Sequence, residues 1–189
     1  AQEYVWGKTL HDIGLLVGGD VDQPTRLRHV LQTIASVCEG LQHAHTARRP
    51  GGGDLCLLHR DLTPTEILVS YGGAVKTADF GLSKLKVTAS YATGRSGELK
   101  YLYLAPERIN GAPASIRGDI YSVGLILYEI LTGVHPFRGV ADLLRRLDMG
   151  DPPPPTTIRS DLPRALDEVV GRAVARDPER RYASAGEMA

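Results

Sequence analysis

The chain has 189 residues with 22 basic and 22 acidic side chains, no net charge, 42% hydrophobic and 23% charged residues. Those proportions describe an ordinary globular domain and exclude a wholly disordered chain. The balanced charge removes the usual signal of a nucleic-acid or anionic-membrane binder, and two cysteines, Cys38 and Cys56, make neither a disulfide framework nor a four-ligand zinc site.

In chain order, Glu3 to Trp6 is a short extended stretch ending at Gly7. From Arg26 to about His45 the apolar residues Leu27, Val30, Leu31, Ile34, Val37, Cys38, Leu41 and Ala44 recur at helical spacing and predict a long amphipathic helix. The run Arg48-Arg49-Pro50-Gly51-Gly52-Gly53 ends it. Leu55–Leu58, Ile67–Val69 and Ala74–Ala78 read as short strands, with Tyr71-Gly72-Gly73 as the turn between the last two. Residues 82–100 are polar and read as a loop. Ile120–Leu131 is hydrophobic almost all round and predicts a buried helix, with Asp119 at its start and Gly133 just past its end. A short helix over 140–149, a proline loop from Asp151 to Pro155 and an amphipathic helix carrying Leu162, Leu166, Val169, Val170, Ala173 and Val174 complete the reading. The nearly apolar run from Ile120 to Val134 contains Glu129 and falls short of a bilayer span, so no membrane contact is expected of this segment.

The chemistry concentrates in His59-Arg60-Asp61-Leu62-Thr63-Pro64-Thr65-Glu66-Ile67-Leu68-Val69, then Asp79-Phe80-Gly81, then Ala105-Pro106-Glu107. Two carboxylates, Asp61 and Asp79, flank a pair of strands joined by a turn. Such a hairpin can bring both into one cleft, one to accept a proton and one to hold a divalent cation. Each tripeptide is weak evidence by itself; their order and spacing are specific.

These motifs, followed by Gly118-Asp119-Ile120-Tyr121-Ser122-Val123-Gly124 and Asp177-Pro178-Glu179-Arg180-Arg181, resemble the protein kinase superfamily, in the manner of bacterial Ser/Thr kinases of the eukaryotic-like type. The resemblance implies an α+β protein-kinase-like fold, here the mainly α-helical C-terminal lobe with a small β insert. Residues 1–7 would be the hinge, 59–69 the catalytic loop and 79–107 the activation segment. The glycine-rich phosphate loop and its lysine are expected upstream, on an N-terminal lobe missing from the chain, which opens without methionine and stops inside a starting helix.

The resemblance further implies ATP and Mg²⁺ as cofactors, a protein Ser/Thr hydroxyl as acceptor, and a cytoplasmic place for the domain, with any membrane anchor of the parent outside this segment. Asp61 would be the base and Asp79 the Mg²⁺ ligand. Thr63 stands where such kinases usually have lysine; it offers a hydroxyl but no charge. Glu66 stands where an asparagine holds the second metal, a hard oxygen donor but a third negative charge. These two departures keep an alternative open, a pseudokinase acting as a binding module. Glu3 and Val5 would present backbone groups to adenine, with Leu68 beneath the base and Ala78 behind. Arg60 would pair with a phosphate on Thr88, Ser90, Thr93 or Ser96, and Lys100 would contact Asp61 in place of a threonine. Glu107 and Arg181 would form an ion pair, and Asp119 would brace the catalytic-loop backbone. His59 and Cys38 are expected to be packed core residues.

Overall fold

The computed structural model describes residues 3–16, 23–80, 101–137 and 149–189. A three-stranded antiparallel sheet lies beside a helical body. Strands β1 (Gly7–Thr9), β2 (Ile67–Ser70) and β3 (Val75–Thr77) run in that spatial order. The register pairs Gly7 with Ser70 and Ile67 with Thr77. Gly7 is required where it stands, because a Cβ there would lie 2.1 Å from the carbonyl oxygen of Val69. The expected turn at residues 71–73 closes β2 onto β3, with Gly73 in the left-handed region at φ 86° and the Ser70 N–H donating to the Ala74 carbonyl at 2.8 Å.

Helices α1 (Leu10–Leu16) and α2 (Gln23–His45) follow β1. Ile34, Val37, Cys38, Leu41 and Ala44 face the core from α2, as the periodicity predicts. Three successive glycines with φ of 97°, 98° and 88°, Gly51 to Gly53, reverse the chain beyond it. After the sheet come α3 (Pro106–Ile109), α4 (Ile116–Thr132), α5 (Pro155–Ile158), α6 (Ala165–Ala173), a 3-10 turn (Pro178–Arg180) and α7 (Ala185–Met188). The core lies where α4 packs between α2 and α6.

Helix α4 has no polar face in its centre: every residue from Asp119 to Tyr128 is buried. It crosses α6 at Gly124, where a Cβ would sit 2.7 Å from both Ala173 Cβ and Val174 Cγ1, so the absence of a side chain lets the two backbones approach. Gly133 caps it in the left-handed conformation at φ 75°.

Three expectations change. Leu55–Leu58 is not a strand: among the described residues only Asp54, at its edge, makes an isolated bridge, to Arg48, no partner strand completes a ladder, and Leu55 and Leu57 are exposed. The extended stretch does not end at Gly7 but runs on as the strand Gly7–Thr9, because these residues pair with the edge of β2. The N-cap of α4 is Ser115, whose hydroxyl accepts from the Gly118 N–H at 3.0 Å; Asp119 lies inside the helix and points elsewhere. The helix expected over 140–149, the 82–100 loop, Gly81, Thr88, Ser90, Thr93, Ser96 and Lys100 lie outside the described residues, Met149 alone excepted. Among the described residues no helix is long and apolar enough to cross a membrane.

Candidate active site

The segment from His59 to Glu66 runs without regular structure between the Gly-rich reversal and β2. Its first residues are fixed by one side chain from α4. Asp119 accepts from the backbone N–H of His59 through Oδ2 and of Arg60 through Oδ1, each at 2.8 Å. The carboxylate is 2% exposed, so satisfying both oxygens is an energetic requirement. His45, at the end of α2, adds a third contact, Nε2 to Asp119 Oδ2 at 2.9 Å. Arg60 sits at φ 81°, a left-handed conformation that costs energy for a side chain of this size and persists because its own amide and that of His59 are held. The next residue is Asp61, half-buried.

His59 is fully buried and packs as a core residue, as expected. Its Nε2 lies 2.9 Å from the carbonyl oxygen of Ala78, and its ring meets that of Phe80 with centroids 4.8 Å apart. The Ala78 N–H donates to the Glu66 carbonyl at 2.8 Å. Ala78 therefore joins both ends of the His59–Glu66 loop to the segment that leads into Asp79. Asp79 is exposed and takes φ 60°, which turns the chain sharply after β3. The two carboxylate-bearing loops are thus knitted edge to edge, as the hairpin reading anticipates.

The far end of the loop is closed on itself. Glu66 Oε2 accepts from the Thr63 N–H at 2.9 Å and from the Thr63 hydroxyl, while Oε1 accepts from the Thr65 hydroxyl at 3.0 Å. Thr63 Oγ1 also lies 2.7 Å from Thr65 Oγ1 and 3.3 Å from the Thr65 N–H. Glu66 is only 9% exposed and Thr63 only 3%.

The four residues assigned to adenine gather on the sheet side. Leu68 is a half-buried residue of β2, paired on one side with Thr9 and on the other with Lys76. Glu3 is exposed, with its carboxylate 2.5 Å from Lys76 Nζ, which ties the stretch before β1 across to β3. Val5 and Ala78 are half-buried. An exposed aromatic pair, Trp6 and Tyr71, meets edge to face at 5.1 Å beside them.

The segment that ends at Ala105-Pro106-Glu107 is clamped from below. Arg181, 2% exposed, makes a bidentate pair with Glu107 at 2.7 and 2.8 Å, as expected. Its remaining donors reach the carbonyls of Ala175, Arg117 and Arg176 at 2.7, 3.0 and 3.1 Å, and its guanidinium carbon lies 4.6 Å from the centre of the Tyr121 ring. A buried arginine with its N–H groups and its face all engaged fits the planar fork of this side chain and not lysine. Just before it, the Tyr103 hydroxyl donates to Glu129 Oε2; burial first and the nearby Glu129 carboxylate second push the Tyr103 phenol up, so it stays a donor. The Ser122 hydroxyl holds the Tyr103 carbonyl at 2.9 Å.

Sequence reasoning misses His45 and the Tyr103–Glu129–Ser122 contacts, whose partners are 74, 26 and 19 residues apart. It also misses that Thr63 and Glu66 meet, although Thr63-Pro64-Thr65-Glu66 carries a local signature that could have revealed it.

The sequence pattern of the protein kinase domain matches residues 1–188. Curated relatives include the tyrosine-protein kinase MasK of Myxococcus xanthus, 38% identical over 160 residues, covering 82% of this chain and 24% of that protein. The serine/threonine-protein kinase PknB of Mycolicibacterium smegmatis is 37% identical over 191 residues, 98% of this chain and 28% of that protein. PknB of Mycobacterium tuberculosis is 34% identical over 190 residues with the same two coverages. The chain therefore spans about a quarter of the length of these relatives. With an aspartate of the central helix holding the loop that carries Asp61, and the arginine clamp beneath Glu107, the match has its structural counterpart: the chain belongs to the protein kinase domain family, on its bacterial eukaryotic-like branch.

Proposed function

We propose that this chain carries the catalytic half of a protein kinase that transfers the γ-phosphoryl group of ATP to Ser or Thr hydroxyls of proteins. The observation that carries this reading is the bracing of the Asp61 loop. Asp119 fixes the two amides before Asp61, and Ala78 binds that loop to the one bearing Asp79. Phosphoryl transfer asks little of a protein beyond positioning and charge stabilisation, and a residue preceded by two held amides is positioned.

In this reading Asp61 orients the acceptor hydroxyl and takes its proton as the hydroxyl oxygen bonds to the γ-phosphorus and the bond to the leaving ADP oxygen breaks. The exposed carboxylate of Asp79 is a hard oxygen donor, the type that suits Mg²⁺, and bound Mg²⁺ would neutralise phosphate charge. Glu3 and Val5 present the hinge backbone, Leu68 and Ala78 form the lower lining of the base site, and the glycine-rich loop and lysine come from a preceding lobe. Arg60, exposed beside Asp61, is free of the core and suited to a phosphate on the activation segment.

The relatives divide in the acceptor their names state, tyrosine for MasK and serine/threonine for PknB. We assign Ser/Thr because the Ser/Thr relatives cover 98% of the chain against 82%. The cytoplasmic face, where ATP is available, is the compartment this activity requires.

The test is transfer of label from Mg-ATP by the complete protein beside its Asp61→Asn variant, followed by phosphoamino-acid analysis. Phosphoserine or phosphothreonine that falls at least 100-fold with Asp61→Asn supports the reading. Phosphotyrosine would move the acceptor class, and no transfer by folded protein would leave the binding-module alternative, which the mutual engagement of Thr63 and Glu66 favours.

A further inference from the structure

The sequence Thr63-Pro64-Thr65-Glu66 has the pattern of a helix N-terminal capping box, a Ser or Thr followed three residues later by Glu, with proline at the first position after the cap. No helix follows. Residues 64–66 make a single turn, with the Glu66 N–H donating to the Thr63 carbonyl at 3.2 Å. The chain then enters β2, because Ile67, Leu68 and Val69 pair with β3 and the Glu66 carbonyl is taken by the Ala78 N–H.

The reciprocal arm of the box is nevertheless made. Glu66 reaches back to the Thr63 N–H at 2.9 Å. A carboxylate only accepts, and a hydroxyl has one proton. The Thr63 O–H therefore points at Glu66 Oε2, and no proton is left on that oxygen for a phosphate. The two donors on Oε2 use both its lone-pair directions, and Oε1 is partly used by Thr65.

We propose that Thr63 and Glu66 close on each other, through the Glu arm of a capping box and the Thr63 hydroxyl, in place of a phosphate-contacting side chain and a second cation ligand: Glu66 is a positioning residue that holds the turn behind Asp61, and the cation is left to Asp79. The statement about the cation rests on the kinase reading. The box does not.

Glutamine serves at the Glu66 position of a capping box as well as glutamate does, because its carbonyl oxygen accepts both Thr63 donors and its amide can donate to Thr65. As a Mg²⁺ ligand it lacks the charge. The experiment measures thermal unfolding of the kinase domain in the complete protein, and the Mg²⁺ concentration giving half-maximal binding of a non-hydrolysable ATP analogue, for Glu66→Gln, Glu66→Ala, Thr63→Ala and Thr63→Ser. The box predicts that Glu66→Ala and Thr63→Ala each lower the midpoint by about 2–4 °C, that Glu66→Gln and Thr63→Ser recover most of it, and that Glu66→Gln moves the Mg²⁺ half-point by less than about twofold. A shift of about tenfold or more in Glu66→Gln with an unchanged midpoint would make Glu66 a cation ligand and overturn the proposal. Equal midpoints for Gln and Ala would overturn the box itself. If the wild type shows no Mg²⁺-dependent nucleotide binding, the cation reading of Asp79 fails, and the order of the four midpoints still decides the box.

Discussion

The two ends of the loop that carries Asp61 are held by opposite means. His59 and Arg60 are fixed from outside, by an aspartate 60 and 59 residues further on, itself contacted by a histidine 74 residues before it. Thr63 to Glu66 is fixed from within, by side chains one to three residues apart. The outer brace exists only when α2 and α4 have packed and buried Asp119; the inner one needs no more than a turn and a proline. The first couples the site to the stability of the whole core, the second adds a local increment. This contrast explains how a loop without regular structure can keep Arg60 in left-handed backbone: the strain of about 1–3 kcal/mol is offset by contacts made elsewhere.

The comparison can be broken first at Asp119. Asp119→Asn retains one acceptor oxygen but turns an NH₂ toward a backbone donor, leaving a buried amide unsatisfied. A loss of about 3 kcal/mol in unfolding free energy is expected, with phosphotransfer lost at least in proportion. Urea unfolding of the complete protein, followed at the kinase domain, measures it. A cost below about 1 kcal/mol would show that the His59 end is held by something other than the central helix.

Thr63→Val, which keeps the shape and removes the hydroxyl, is expected to cost only about 1 kcal/mol. Should it match Asp119→Asn, the inner box would be coupled to the core and the division between the two ends would fail.

Cysteine labelling sharpens the contrast. Cys38 is buried on α2 and Cys56 is exposed, so of these two only Cys56 should react in native protein, as peptide mapping would show. Cys38 then reports opening of the core. Since about 1.4 kcal/mol changes a population tenfold, its labelling should quicken by roughly 100-fold in Asp119→Asn and about fivefold in Thr63→Val.

The effect that is smallest near neutral pH is on pH dependence. Burial, with a lesser contribution from Glu39, pushes the Cys38 thiol from 9.0 up to about 12. The folded chain then holds this proton more tightly than the unfolded chain, so the contribution is fully present below about pH 9 and is lost as pH rises toward 12. Cys38→Ala should flatten that part of the profile measured by equilibrium unfolding.

Much of the fold was legible in the residues because it depends on local periodicity and local stops. The stripe from Ile34 to Ala44 makes α2, the apolar run around Val123 makes α4, and Gly133 and Gly73 end their elements where a positive φ is needed. The false strand at Leu55–Leu58 shows the limit: an apolar run is a strand only if a neighbour supplies the ladder, and among the described residues none does. Asp119 shows it again: the family resemblance implies its brace on the loop, which the structure shows on two amides, but its place at the start of an apolar helix reads as a cap, and folding puts Ser115 there instead.

By itself, then, the sequence determined the kinase family and the order of the motifs, the long helices and their buried faces, and, in Thr63-Pro64-Thr65-Glu66, a turn that closes on its own side chains. These follow from spacings of a few residues or from an ordered set of motifs, both of which survive in one dimension. Tertiary structure alone decided which further groups close round the buried charges: His45 at Asp119, Glu129 at Tyr103, and the carbonyls of Ala175, Arg117 and Arg176 at Arg181. A buried charge must find its partners within about 3 Å, and which groups arrive there depends on helix crossings such as the one that Gly124 permits, a distance that no spacing along the chain encodes.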